Sequence, residues 1–77
     1  MTEARSELIE AVANTLGVAP LTKEEVDSVL ELAGTAAHGT GDRTAAPLCC
    51  FLAGLTASGD RMEALERVHT NVKEATS

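Results

Sequence analysis

The groups able to do chemistry gather around one bend. His38, Asp42, Arg43 and Thr44 fall on or beside the Gly-rich stretch Gly39-Thr-Gly-Asp-Arg-Thr44, and the adjacent pair Cys49 and Cys50 follows soon after. An imidazole, a carboxylate and a guanidinium in one polar corner could bind a small anion or a partner's carboxylate. Catalysis asks for more, because a general base needs a nucleophile or a substrate pocket aligned with it. No residue at a suitable spacing supplies one, so an enzyme is not expected. For His38 a structural role is simpler: in the last turn of a helix an imidazolium gains from the dipole and can reach a free carbonyl.

The cysteines suggest neither a metal nor a nucleophile. Zinc sites pair cysteines separated by two to four residues; here there is no spacer, and His69 lies far along the chain. Neither thiol has an activating base beside it. Side chains of adjacent helical residues point about 100° apart, so these two do not make a disulfide framework, and at least one should face the core. No metal or cofactor is expected. Arg43 and the N–H groups opening the following helix could hold a nucleotide phosphate. The turn nevertheless lacks the Gly-Lys-Ser/Thr ending and the preceding strand of a Walker loop.

Several function classes recede on composition alone. The chain has 77 residues and a formal net charge of −6, and its six bases are scattered singly. Phe51 is the only aromatic, so nothing stacks on bases and no basic footprint releases counterions; nucleic acid is not an expected partner. No stretch reaches the 18 or more apolar residues of a membrane span, and no signal core follows the acidic start, so a cytoplasmic location is expected. At 44% apolar residues the chain is too hydrophobic to be a disordered tail. A single domain this small buries only about 60% of its unfolded surface, so help from a protein partner or a homodimer is anticipated.

The elements that position the bend read as four helices, near residues 3–16, 23–38, 45–57 and 61–74. Leu8, Val12 and Leu16 form a stripe closed by Gly17, a residue suited to a left-handed cap. Thr22-Lys-Glu-Glu25 is a capping box, flanked by Leu21 and Val26 at hydrophobic-staple positions. The second helix carries Val26, Val29, Leu30, Ala33, Ala36 and Ala37 along one side and is expected to end at Gly39. Its interior Gly34 suggests close approach by another helix, as does Gly54 in the third. Thr44 is placed to cap that third helix, whose Leu48, Phe51, Leu52 and Leu55 form its apolar stripe. Ser58-Gly59 breaks the chain, Asp60 caps the fourth helix, and Leu65, Val68 and Val72 point inward. The expectation is an all-α fold, a small antiparallel four-helix bundle with short loops.

Two resemblances bear on function. Asp27-Ser28-Val29-Leu30-Glu31-Leu32 resembles the prosthetic-group attachment region of acyl carrier proteins, with Ser28 as the attachment serine. Its position disagrees: Ser28 lies nearly two turns past the Thr22 cap, whereas the carrier serine opens its helix. A broader likeness runs from about Leu8 to Gly59. Leu32-Ala33, Ala37-His38-Gly39, an arginine, and Ala45-Ala46-Pro47-Leu48 running into Phe51-Leu52-Ala53-Gly54 resemble a family of small actinobacterial helical domains of unknown function. These occur alone or fused to the enzyme that attaches a guanine nucleotide to molybdenum cofactor. The resemblance implies an accessory role near that reaction, in association with the guanylyltransferase, and no activity of its own. The chain departs from the family pattern where Thr44 replaces a proline and Cys49-Cys50 replaces two threonines. The reading is a non-enzymatic domain that binds another protein, with His38, Asp42, Arg43 and Thr44 at its binding surface. The alternative is a small-ligand or nucleotide-binding accessory using Arg43 and the start of the third helix.

Overall fold

The computed structural model describes residues 2–57 and 59–76 of the chain. Four helices follow one another: α1 Thr2–Leu16, α2 Lys23–Thr40, α3 Ala45–Thr56 and α4 Arg61–Thr76. The fold is all-α, as expected, and there is no strand among the described residues. Local signals act as written. The Thr22 N–H donates to Glu25 Oε1 at 2.8 Å and the Glu25 N–H donates to Thr22 Oγ1 at 3.1 Å, completing the capping box. Gly17 adopts φ 74°, and the Val18 N–H donates to Ala13 O while the Gly17 N–H donates to Asn14 O, the two bonds of a Schellman cap. Asp60 Oδ1 accepts the Glu63 N–H at 3.0 Å and so caps α4; the expected break at Ser58 lies outside the described residues. The end of α2 needs correction. The helix continues to Thr40, and Gly41, not Gly39, takes the left-handed cap at φ 72°, its N–H donating to Ala37 O.

The core lies among α2, α3 and α4. Leu32 is its centre at 0% exposure, joined by Ala53 and Leu65 and surrounded by Val29, Cys49, Cys50, Met62, Val68 and Val72. The inward residues of α4 are those its periodicity gave. In α2 the expected side is largely kept, with Val29 against the cluster and Ala36 buried, but Leu30 is 51% exposed and Leu32 takes the inside.

Helix α3 departs furthest from expectation. Leu48, Phe51, Leu52 and Leu55 face outward, while Cys49, Cys50 and Ala53 pack inward. The helix carries no charged residue, so no charge dictates which side meets water. The deciding term is room. Helices that cross closely admit alanine and cysteine but not leucine and phenylalanine, and interiors tolerate little overpacking. The close approach falls at Gly39, where an added Cβ would lie 2.5 Å from the Thr76 Cβ. At Gly34 and Gly54, where it was expected, an added Cβ meets nothing within 4 Å.

Helix α1 stands apart. Among the described residues, no Cα of α1 comes within 8 Å of a Cα in another helix. Its seam of Leu8, Val12 and Leu16 is exposed rather than hidden. The molecule measures 37 × 29 × 18 Å, and its thinnest dimension is under two helix diameters of about 10–12 Å each. It exposes 5576 Å². A compact monomer of 8.0 kDa would expose about 4,500 Å², so roughly 1,100 Å² is surplus.

Candidate functional site

The bend between α2 and α3 is held by Asp42. Its Oδ1 accepts the Thr44 N–H at 2.9 Å and the Thr44 hydroxyl at 2.7 Å. These bonds, the hydroxyl first, hold the Asp42 carboxyl below its ordinary pKa, and slight desolvation only partly opposes them. Thr44 was expected to cap α3, but its side chain caps nothing. Asp42 does that work from two residues upstream: its carbonyl accepts the Ala45 N–H at 3.1 Å, and the Arg43 carbonyl accepts the Ala46 N–H at 3.1 Å. Pro47 has no N–H. The N–H donors of the opening turn are thus already satisfied, and a carboxylate sits among them, so the helix end itself offers a nucleotide phosphate no free N–H.

The side chains of His38 and Arg43 are exposed, and neither hydrogen-bonds to a described residue. The bend therefore brings the four predicted residues into one segment but couples only Asp42 and Thr44. Ser28 is the sixth residue of α2 and half-buried, within the helix rather than at its opening. Both cysteines are half-buried against the Leu32 cluster, and the Cys50 thiol points at Val29 O, 3.9 Å away. Burial pushes that thiol's pKa up, with Cys49 adding to the effect, so Cys50 is a neutral packing residue near pH 7. Among the described residues, no three His, Cys, Asp or Glu side chains gather as a metal site. No helix is long and apolar enough to cross a membrane.

Two polar contacts were not foreseen. Arg61 donates from Nη2 to Ala19 O at 2.9 Å and from Nη1 to Glu25 Oε1 at 3.3 Å, clasping the α1–α2 linker to the ends of α2 and α4. Thr35 Oγ1 and His69 Nε2 share a 2.7 Å hydrogen bond that ties α2 to α4. Only Arg61 left a trace in the sequence. A cation opening a helix stands against the helix dipole, so something else must hold it.

What remains is an apolar surface in two parts. On α3 the outward residues form a ridge, with Phe51 at 68% and Leu52 at 55% exposure. The ridge begins one turn beyond Arg43. On α1, Leu8, Ile9, Val12 and Leu16 join Val18 and Leu21 of the linker around a groove of about 490 Å³, with Arg61 at its edge. Residues 2–77 match a family described as a domain of unknown function (DUF6457). No curated protein and no solved structure gives a significant match to the chain.

Proposed function

For this chain, which belongs to the DUF6457 family, we propose a non-enzymatic role as a protein-interaction domain. Its contact surface is the apolar ridge of α3 together with the groove of α1, and the His38–Arg43 corner lies at the N-terminal end of the ridge. The observation that carries this reading is the outward orientation of Leu48, Phe51, Leu52 and Leu55. Exposed apolar patches beyond a few hundred Å² mark contact surfaces in soluble domains. The exposed Arg43, whose side chain pairs with no described residue, supplies a cation at the rim of an otherwise acidic molecule, suited to an acidic side chain on a partner. The likeness to domains fused to molybdenum cofactor guanylyltransferase makes that enzyme the first heterologous partner to try, with this domain as its accessory.

The test titrates purified molybdenum cofactor guanylyltransferase into labelled protein and follows binding by fluorescence anisotropy. Saturable binding is expected, weakened several-fold by Arg43→Ala at unchanged helicity. If the protein binds neither that enzyme nor itself up to several hundred micromolar, the interaction-domain reading falls.

A further inference from the structure

Granted that the uncovered faces are contact surfaces, as proposed above, we infer that their occupant is a second copy of this chain. The α3 ridge of each copy seats in the α1 groove of the other. Three observations converge on this pairing.

The first is area. The surplus surface of roughly 1,100 Å² per chain is close to the roughly 800 Å² that each partner contributes to a standard stable interface. The second is length. At 1.5 Å per residue, Leu48 to Leu55 spans about 10 Å and Leu8 to Leu16 about 12 Å, so the two stripes match end to end. The third is charge. The chain carries −6, and pairing α1 with α1 would bring Glu7 and Glu10 against their own copies. Helix α3 has no charged residue, so a ridge placed in the groove brings no charge of its own and faces no like one. The groove's own cation, Arg61, is already paired with Glu25.

Because ridge and groove are different surfaces of one chain, the exchange must be reciprocal to close as a dimer. A one-way contact would instead build a ring of three or more molecules or an open filament. Reciprocal exchange gives a two-fold dimer and leaves His38 and Arg43 at its rim for a different partner.

Phe51 is the only aromatic in the chain, so its ring is a unique reporter. The experiment combines sedimentation equilibrium with isotope-filtered NMR on a mixture of labelled and unlabelled full-length protein. The expected mass is twice 8.0 kDa, with intermolecular NOEs from the Phe51 ring to the methyls of Val12 and Leu16. Leu52→Asp and Val12→Asp each lie at exposed positions, so helicity should survive while each variant sediments as a monomer. Mixing the two restores one intact ridge-in-groove contact and should yield a heterodimer.

A monomer with no Phe51–α1 NOE overturns the second copy. The interaction-domain reading then stands or falls on the guanylyltransferase titration alone. A monomer with intramolecular Phe51–α1 NOEs overturns both, because α1 would then cover its own ridge. A dimer showing Phe51–Phe51 contacts, or a mass that keeps growing with concentration, overturns the reciprocal exchange.

Discussion

Alanine at Gly34 and alanine at Gly39 should move stability in opposite directions, although both glycines lie inside α2. At Gly34 the added Cβ meets nothing within 4 Å. Only the backbone term then acts, and alanine stabilises a helix interior over glycine by about 0.8–1 kcal/mol. For a domain of this size that raises Tm by about 4–8 °C. At Gly39 the same gain meets an obstruction. The Cβ would lie 2.5 Å from the Thr76 Cβ, 2.7 Å from its Oγ1 and 2.8 Å from its Cγ2. A Cβ cannot rotate aside, so the last turn of α4 must shift or unwind. Overpacking of this kind costs about 1–3 kcal/mol, which exceeds the gain in propensity. The net is a loss of up to about 2 kcal/mol, capped by how readily that terminal turn lets go. Thermal melts followed by circular dichroism, run at one protein concentration, measure both effects. Thr76→Gly removes all three obstructing atoms, so the double variant should recover the propensity gain and show a coupling of at least about 1 kcal/mol. A Gly39→Ala variant as stable as Gly34→Ala, with no coupling to position 76, would refute the close crossing of α2 and α4.

Two further outcomes follow from the polar contacts. Arg61→Met keeps the stem but loses the bonds to Ala19 O and Glu25; with both side chains only partly exposed, we expect a loss of about 1 kcal/mol. Hydrogen exchange of the residue 17–22 amides should quicken, and unchanged exchange would dismiss the clasp. The Asp42 carboxyl, held low by Thr44, should titrate below the usual carboxylate range when followed by NMR, and Thr44→Ala should return it upward. The sign follows: a depressed carboxyl contributes stability above its unfolded pKa and loses it as pH falls through the folded one, so the bend loosens only in acid. A titration at the ordinary value would remove Asp42 from its role.

What could be read from the sequence was what neighbouring residues decide among themselves. The capping box at Thr22–Glu25 needs four residues of chain and nothing else. The Gly17 cap, the Asp60 cap and the number of helices belong to the same class. The facing of α3 could not be read that way, because both of its sides are apolar, and periodicity favours whichever stripe is larger. The choice rests on the gap left by α2 and α4, which only small side chains fit. Leu30 and Leu32 differ for the same reason, being two residues apart on a helix whose orientation its neighbours set. The bend was legible as a polar feature, but its wiring was not. Asp42 and Thr44 are both competent caps, and the contest between them is settled by backbone geometry after Gly41. Arg61 finds Ala19 across 42 residues of chain, beyond the reach of any local rule.

The small core and the exposed leucines have one cause. Among the described residues, the buried hydrophobic ones are Leu32, Leu65 and four alanines, Ala13, Ala36, Ala53 and Ala64. A buried leucine contributes about 1.5–3 kcal/mol and an alanine far less, so this core stabilises the chain weakly for its length. The residues that would strengthen it are present but outside, on the α3 ridge and the α1 seam. Turning them inward would force α2 and α4 apart and forfeit the close crossing at Gly39. In the pairing proposed above the larger burial comes between molecules, and whatever binds the native fold through those faces adds RT ln(1 + [L]/Kd) to its stability. Folding and association are then linked, so the melting temperature of the wild-type chain should rise with protein concentration, while that of Leu52→Asp should stay level.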